Sequence, residues 1–266
     1  LKNQNETRKF QQLLSKKLIA FAHYAKKDVD GDKDEIVKGR TVYAGGDDFL
    51  GFINLDYLFE VLMHLRQEFK RQVNKEIETD VLADNEFTFS AGVVIAHYKT
   101  PLNAVLEQAH ASEQMAKRET GGDRNAFCLT VMKHSGEVNQ TVSKWYQNSE
   151  FVLKDLQWLV KQFRANKLSK KFVQNLATEF KPMADKTGKL KEVPAFFLPE
   201  FQRLIKNSCM NDDSKGEAAK KAKNLYQAYL ESPNGEGLKF TDLVHALGIA
   251  EFIQRHVNLI KNDTDE

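Results

Sequence analysis

Apolar residues in the first part of the chain follow a helical period, then a strand period, then a helical period again. From about residue 6 to 26 they recur three and four positions apart, which predicts an amphipathic helix. Two short apolar runs, residues 41–44 and 49–53, flank a Gly-Gly sequence and predict a β-hairpin. Helical spacing returns over residues 55–78, so a second helix is expected to pack on the hairpin.

A further strand, helix and strand follow. Residues 87–95 alternate as a strand, a helix opens near Thr100-Pro101, and residues 126–132 form another apolar strand. The order helix, hairpin, helix, strand, helix, strand is that of a βαββαβ ferredoxin-like palm that lacks its first strand and has an extended second helix-strand unit. Residues 1–5 begin with Leu and contain no alternation and no carboxylate, so we expect the missing strand on a longer polypeptide and little catalytic activity from this chain alone.

No strand pattern is evident beyond about residue 138. Aromatic and aliphatic residues there recur with helical spacing, and turn signals near residues 186–188, 212–214 and 232–235 divide the region into four to six helices. The sequence therefore predicts an α+β chain, with a palm domain over residues 1–137 followed by an all-α domain over residues 138–266.

The composition of the chain indicates which kinds of partner it can bind. The 39 basic and 37 acidic residues nearly cancel, so any contact with RNA must be regional. Lysine clusters at residues 167–171 and 220–223 are more typical of a solvated helix face than of an RNA groove. Two distant cysteines outside any zinc motif, and the lack of a membrane-spanning apolar run or signal peptide, predict a cytoplasmic protein that does not contact a membrane.

The sequence Gly45-Gly46-Asp47-Asp48 lies at the predicted hairpin turn and contains the candidate metal-binding residues. Nucleotidyl transfer commonly uses two divalent cations, and carboxylates are suitable ligands for Mg²⁺ or Mn²⁺. Glycines before the carboxylates allow a triphosphate to approach the backbone. The alternative is a plain hairpin turn with solvated aspartates, but the flanking apolar strands and the palm order favour a site.

These residues also carry a resemblance to a known family. Several blocks of the chain resemble successive blocks of the type III CRISPR large subunit, and its type III-B form in particular. The blocks are Tyr43-Ala44-Gly45-Gly46-Asp47-Asp48, Ser90-Ala91-Gly92-Val93-Val94, Ala116-Lys117-Arg118, Arg124-Asn125-Ala126 and Lys133-His134-Ser135-Gly136-Glu137. The helical tail is similar to the final domain of that subunit in position and helicity.

The resemblance implies that the palm converts ATP into short signalling oligonucleotides when the assembled complex binds target RNA. It implies Asp47 and Asp48 as metal ligands and Gly45 and Gly46 as the turn on the phosphate side. It also implies other effector-complex subunits as partners, with crRNA and target RNA bound through the complex.

Three further residues are candidates for nucleotide binding. The resemblance implies Lys117 and Arg124 as cations that neutralise the triphosphate, although the turn before Arg124 has one inserted residue. Lys117 has an alternative explanation, because a basic residue complements the dipole at a helix C-terminus. Ser90 is either a nucleotide contact or a small packing residue.

Two other functions compete with this one. A diguanylate cyclase shares most of the Gly-Gly-Asp-Asp-Phe signature, but no Arg-x-x-Asp site lies upstream, since Arg40 is followed by Thr41, Val42 and Tyr43. A palm without metals that acts only as a scaffold for RNA and partner subunits is the non-enzymatic alternative.

Overall fold

The computed structural model describes residues 4–32, 35–74, 86–118, 124–133, 135–231 and 239–257. The chain divides into two compact units, Leu1–Phe89 and Ser90–Glu266. The predicted α+β class is confirmed, and the predicted order of helix, hairpin, helix, strand, helix and strand is present.

The first unit contains the predicted hairpin between two helices. Its elements are α1 (Gln4–Asp30), β1 (Gly39–Gly45), β2 (Asp48–Ile53), α2 (Leu58–Phe69) and a π-helical turn (Lys70–Asn74). Helix α1 is longer than predicted because buried Ala25 and Val29 continue its apolar stripe. It ends where Gly31 takes a φ of 70°, which glycine adopts without steric cost.

The core of this unit lies between α1, α2 and the inner face of the hairpin. Phe21 and Phe69 pack edge to face with ring centroids 5.3 Å apart, and Phe89 contacts both rings. Phe49 and Ile53 of β2 pack against the same cluster. Burial of this apolar surface is the main stabilising contribution to the unit, and it fixes which face of the hairpin remains outside.

The second unit opens with a βαβ arrangement. Its first elements are β3 (Ala91–Ala96), α3 (Leu102–Arg118), β4 (Ala126–Met132) and β5 (Val138–Lys144), with sheet order β3-β4-β5. Strands β3 and β4 are parallel, and β4 and β5 are antiparallel. Gly92 lets α3 approach closely, since a Cβ there would lie 2.3 Å from the backbone nitrogen of Glu113.

The prediction that strands end near residue 138 is wrong. Strand β5 begins at Val138, and a short hairpin of β6 (Tyr146–Gln147) and β7 (Glu150–Phe151) follows it. Strand β5 is not visible in the hydrophobic pattern because its buried residues include the polar Thr141 and Ser143, whose hydroxyls form hydrogen bonds within the fold. The division into domains at residue 137 stays a prediction.

Within the described part of the chain, five α-helices follow, as predicted. They are α4 (Val152–Arg164), α5 (Lys171–Phe180), α6 (Phe197–Ser208), α7 (Lys215–Leu230) and α8 (Phe240–Ile253). None of the helices in the described ranges is both long enough and apolar enough to cross a membrane. The predicted turn at residues 232–235 lies outside the described residues.

Helix α8 lies along the outer edge of β5. The Asp242 carboxylate accepts a hydrogen bond from the Val142 amide at 3.2 Å, and His245 Nδ1 lies 2.8 Å from the Gln140 carbonyl oxygen. Asp242 and His245 are three residues apart and so share one helix face. Their side chains contact backbone N–H and C=O groups of β5 at hydrogen-bond distance, and another strand would otherwise pair with those groups.

Helices α4 and α7 share a buried ion pair. The Lys221 ammonium lies 2.9 Å from the Asp155 carboxylate, and these side chains are 14% and 3% exposed. Burial raises the pKa of Asp155, although its bond to Lys221 acts in the opposite direction. Lys221 is therefore an internal structural residue, in contrast to the solvated face predicted for the 220–223 cluster.

Candidate active site

The Gly45-to-Asp48 sequence forms the tip of the β1-β2 hairpin. Gly45 and Asp48 are the last paired residues, and Gly46 and Asp47 form the two-residue turn. Gly46 has a φ of 60°, whereas Asp47 is not among the residues with positive φ. Glycine at the first central position with this backbone is the pattern of a type II′ turn, which matches the natural twist of the strands.

Both carboxylates at the tip face solvent. Asp47 and Asp48 are exposed, and neither has a hydrogen-bond or ion-pair partner within the residues that the structure describes. No group of three or more His, Cys, Asp or Glu side chains suited to a metal ion occurs in those residues. The tip thus supplies two hard oxygen donors, a number that Mg²⁺ commonly accepts when substrate phosphates and water complete its coordination.

The base of the hairpin is held by a partly buried cluster of charges. The Lys38 ammonium lies 2.7 Å from the Asp28 carboxylate and 2.8 Å from that of Glu60, which joins the residue before β1 to both helices. Burial alone would lower the pKa of Lys38, but the bonds to Asp28 and Glu60 outweigh burial and raise it. His64 Nδ1 also lies 3.3 Å from Asp28. A firmly held base positions the tip.

A β-bulge interrupts β1 just before the tip. Thr41 pairs with Gly51 and Tyr43 pairs with Leu50, so Val42 is the additional residue. Because side chains alternate along a strand, the extra residue moves Tyr43 to the exposed face, and both Val42 and Tyr43 are more than half exposed.

The outward face of the hairpin is apolar beside the carboxylates. Asp48, Leu50 and Phe52 occupy alternate exposed positions on β2, opposite Gly45, Tyr43 and Arg40 on β1. Sequence reasoning missed Tyr43 and Phe52 as functional candidates. Alternation along β2 was available as a signal for Phe52, whereas the bulge that exposes Tyr43 cannot be read from an apolar pattern.

Ser90 and Arg124 are brought together in the second unit. The Ser90 hydroxyl donates a hydrogen bond to the Arg124 backbone carbonyl, and Arg124 has a φ of 49°. A positive φ is uncommon for a residue other than glycine. The contact uses the backbone of Arg124, which is an exposed residue.

Lys117 lies in the last turn of α3 and forms an ion pair with Glu113 one turn earlier. This arrangement matches the structural alternative, in which a basic residue near a helix C-terminus interacts with the dipole and with an i−4 carboxylate. The seven predicted site residues thus divide between the units, with residues 45–48 in the first and Ser90, Lys117 and Arg124 in the second.

The cysteines add no reactive group to the site. Both Cys128 and Cys209 are free thiols. Cys128 is buried in the β4 strand, and burial raises the pKa of its thiol to about 11. A thiol with so high a pKa is protonated at neutral pH and is a poor metal ligand.

Comparison with known proteins shows which family the first part of the chain resembles. Residues 1–128 match the family described as Cas10/Cmr2, second palm domain. The CRISPR system Cmr subunit Cmr2 of Pyrococcus furiosus is 35% identical over 124 residues, which cover 44% of this chain and 13% of that relative. The chain therefore spans a small part of that relative's length. Over the matched range the chain is similar to the second palm domain of Cas10/Cmr2.

Proposed function

We propose that this chain contributes a nucleotide-polymerising palm to a type III CRISPR effector complex, where it converts ATP into oligoadenylate-type second messengers. The main supporting observation is the hairpin tip, where Asp47 and Asp48 are exposed and have no partner within the described residues. The match of residues 1–128 to the Cas10/Cmr2 second palm domain supports the same function independently of that geometry.

Mg²⁺ or Mn²⁺ would be held by the carboxylates of Asp47 and Asp48. When bound, such an ion polarises the triphosphate and lowers the pKa of the attacking hydroxyl. The chain's own contribution is to present two carboxylates from a two-residue hairpin turn and to leave space at Gly46, where an added Cβ would meet no atom within 4 Å. Phosphate groups can therefore approach this part of the backbone.

Ser90, Lys117 and Arg124 have secondary roles in the proposal. Lys117 and Arg124 would neutralise phosphate charge, for which Lys117 would have to exchange its ion pair with Glu113. Ser90 would position the turn at Arg124 through their hydrogen bond, or would contact nucleotide directly.

The proposal places the protein in the cytoplasm, with other effector subunits as partners and with crRNA and target RNA bound through the complex. Exposed apolar residues from position 138 onward are candidate contacts with those subunits. They are Val138, Met183, Phe196 and Met210.

The test replaces both tip carboxylates, Asp47→Asn and Asp48→Asn, in the assembled complex supplied with ATP, target RNA and Mg²⁺. We expect product formation to fall by about a thousandfold or more while target-RNA binding is unchanged, because the carboxylates act on the transition state. Asp32→Asn is the matched control, since that carboxylate is also exposed, on a loop of the same unit.

Ordinary product yield from the double variant would refute the proposal. Product from GTP in place of ATP would favour a diguanylate cyclase. If the unaltered protein assembles into the complex but neither binds Mg²⁺ nor forms product, the result would favour a scaffold.

A further inference from the structure

The outer face of the hairpin exposes more apolar surface than folding requires. Tyr43 is 55% exposed, Phe52 is 53% exposed and Leu50 is 38% exposed. Tyr43 and Leu50 are direct cross-strand partners, and Phe52 lies two positions along β2 on the same face. Adjacent exposed apolar side chains of this kind commonly mark a binding surface.

The face is continuous with the carboxylate tip. Asp48, Leu50 and Phe52 alternate along β2, so one side of the strand presents a carboxylate and then two apolar groups. The rise per residue puts Leu50 about 7 Å and Phe52 about 14 Å from Asp48 along the strand. A ligand whose charged end is held at Asp48 would lie over these apolar groups.

The side chain of Tyr43 places its ring beside the hairpin tip. A Cβ on Gly45 would lie 3.1 Å from the Tyr43 hydroxyl and 3.3 Å from the ring carbon that bears it. The ring therefore leans over the Gly45 backbone with its hydroxyl toward the turn. Glycine at position 45 is what allows this close approach, and the bulge at Val42 is what brings Tyr43 to this face.

We propose that Tyr43, Leu50 and Phe52 form the floor on which a nucleoside triphosphate lies, with the Tyr43 hydroxyl donating a hydrogen bond to it near the phosphates. The inference rests on the proposed function and names the substrate surface of that same site. The occupant follows from the order of groups along the face, because a nucleotide pairs an anionic end that a cation bridges to carboxylates with a flat base that stacks on aromatic rings.

Equilibrium dialysis of a non-reactive ATP analogue with Mg²⁺ tests the proposal on the full chain, alone and in its complex. Tyr43→Phe removes the hydroxyl, and we expect it to weaken binding about fivefold. Tyr43→Ala and Phe52→Ala remove ring surface and should each weaken binding about tenfold. Ile19→Ala is the matched control, since Ile19 is 52% exposed on α1 of the same unit.

Because Tyr43 and Phe52 are exposed, we expect their variants to fold normally, and thermal melting checks this. Each variant should melt within about 2 °C of the unaltered chain, as surface substitutions commonly do. Loss of affinity in Tyr43→Phe with unchanged melting would support a direct contact with nucleotide.

Failure of this inference is separable from failure of the proposed function. If the analogue binds and Asp47→Asn with Asp48→Asn abolishes binding, but the Tyr43 and Phe52 variants bind normally, the substrate surface lies elsewhere. If those variants instead lose target RNA or a partner subunit, the face is a macromolecular interface. If the unaltered chain and complex bind no analogue, the proposed function itself fails.

Discussion

The carboxylates at the hairpin tip are exposed, whereas the carboxylate between α4 and α7 is buried in an ion pair. Asp47 and Asp48 are exposed, with no partner in the described residues, whereas the Asp155 side chain is 3% exposed and lies 2.9 Å from the Lys221 ammonium. A buried charge must be paired to be tolerated, but an exposed one contributes little to folding. The difference separates charges that serve the fold from charges that remain free for a ligand.

The largest expected effect is on the buried pair. Lys221→Met should destabilise the chain by about 3–5 kcal/mol at neutral pH, because it leaves the Asp155 carboxylate buried without its cation. Urea unfolding measures the loss. Lys220→Met is the control, since Lys220 is 65% exposed and only 3.9 Å from an exposed carboxylate of Glu150, and it should cost less than about 0.5 kcal/mol.

The pH dependence of this loss has a defined sign. Burial raises the pKa of Asp155 above its value in the unfolded chain, so the folded state binds that proton more tightly. Removing Lys221 raises the pKa further, so the deficit should shrink as the pH falls toward the raised value. A deficit that grows on acidification would contradict this account of the pair.

The cluster of charges at the hairpin base should make an intermediate contribution to the free energy of unfolding. Lys38→Met should cost about 2 kcal/mol, between the values for surface and fully buried pairs, since Lys38 and Asp28 are 14% and 10% exposed. The raised pKa of Lys38 means that its contribution is complete throughout the neutral range and is lost only as the pH rises through the folded value.

Denaturant unfolding at pH 8 and pH 9, both below the raised pKa of Lys38, should therefore give the same deficit for Lys38→Met. Lys27→Met is the matched control, because Lys27 pairs with Asp32 and Glu35 at 58% exposure and should contribute little. Equal losses from the two lysines would show that the base of the hairpin is held by other contacts.

The smallest expected effect is at the tip. Asp47→Asn and Asp48→Asn should each change the free energy of unfolding by no more than about 0.5 kcal/mol, because neither exposed carboxylate has a partner to lose within the described residues. Chemical denaturation of each variant measures this. A loss above about 1 kcal/mol would mean that the aspartates serve the fold, and the contrast with Asp155 would no longer hold.

The apolar pattern predicted those parts of the fold that apolar burial decides. The hairpin was predictable because a tight glycine turn separates two apolar runs, and β4 occupies the predicted residues 126–132. Strand β5 was not, because its buried Thr141 and Ser143 are polar: the Thr141 hydroxyl donates to the distant Asp242 carbonyl, and the Ser143 hydroxyl donates to the carbonyl of the adjacent Lys144. A strand stabilised by polar contacts has no hydrophobic period to detect.

The candidate site shows the same limit. The tip carboxylates and the glycine turn could be predicted, since turn chemistry is local. The exposure of Tyr43 could not, because it depends on a bulge fixed by the pairing of Thr41 and Leu50 with their partners across the hairpin. The ion pair of Lys117 with Glu113 could also be predicted, since it joins residues four apart on one helix.

The side chains of α8 that bind the edge of β5 make the three-stranded sheet asymmetric. With Asp242 on the Val142 amide and His245 on the Gln140 carbonyl, that side of the sheet is closed to another strand. Strand β3, at the opposite end of the sheet, pairs only with β4 among the described residues. Growth of this sheet by a further strand, from the same polypeptide or another, therefore has a single direction, and α8 acts as a stop against end-to-end association of copies through β5.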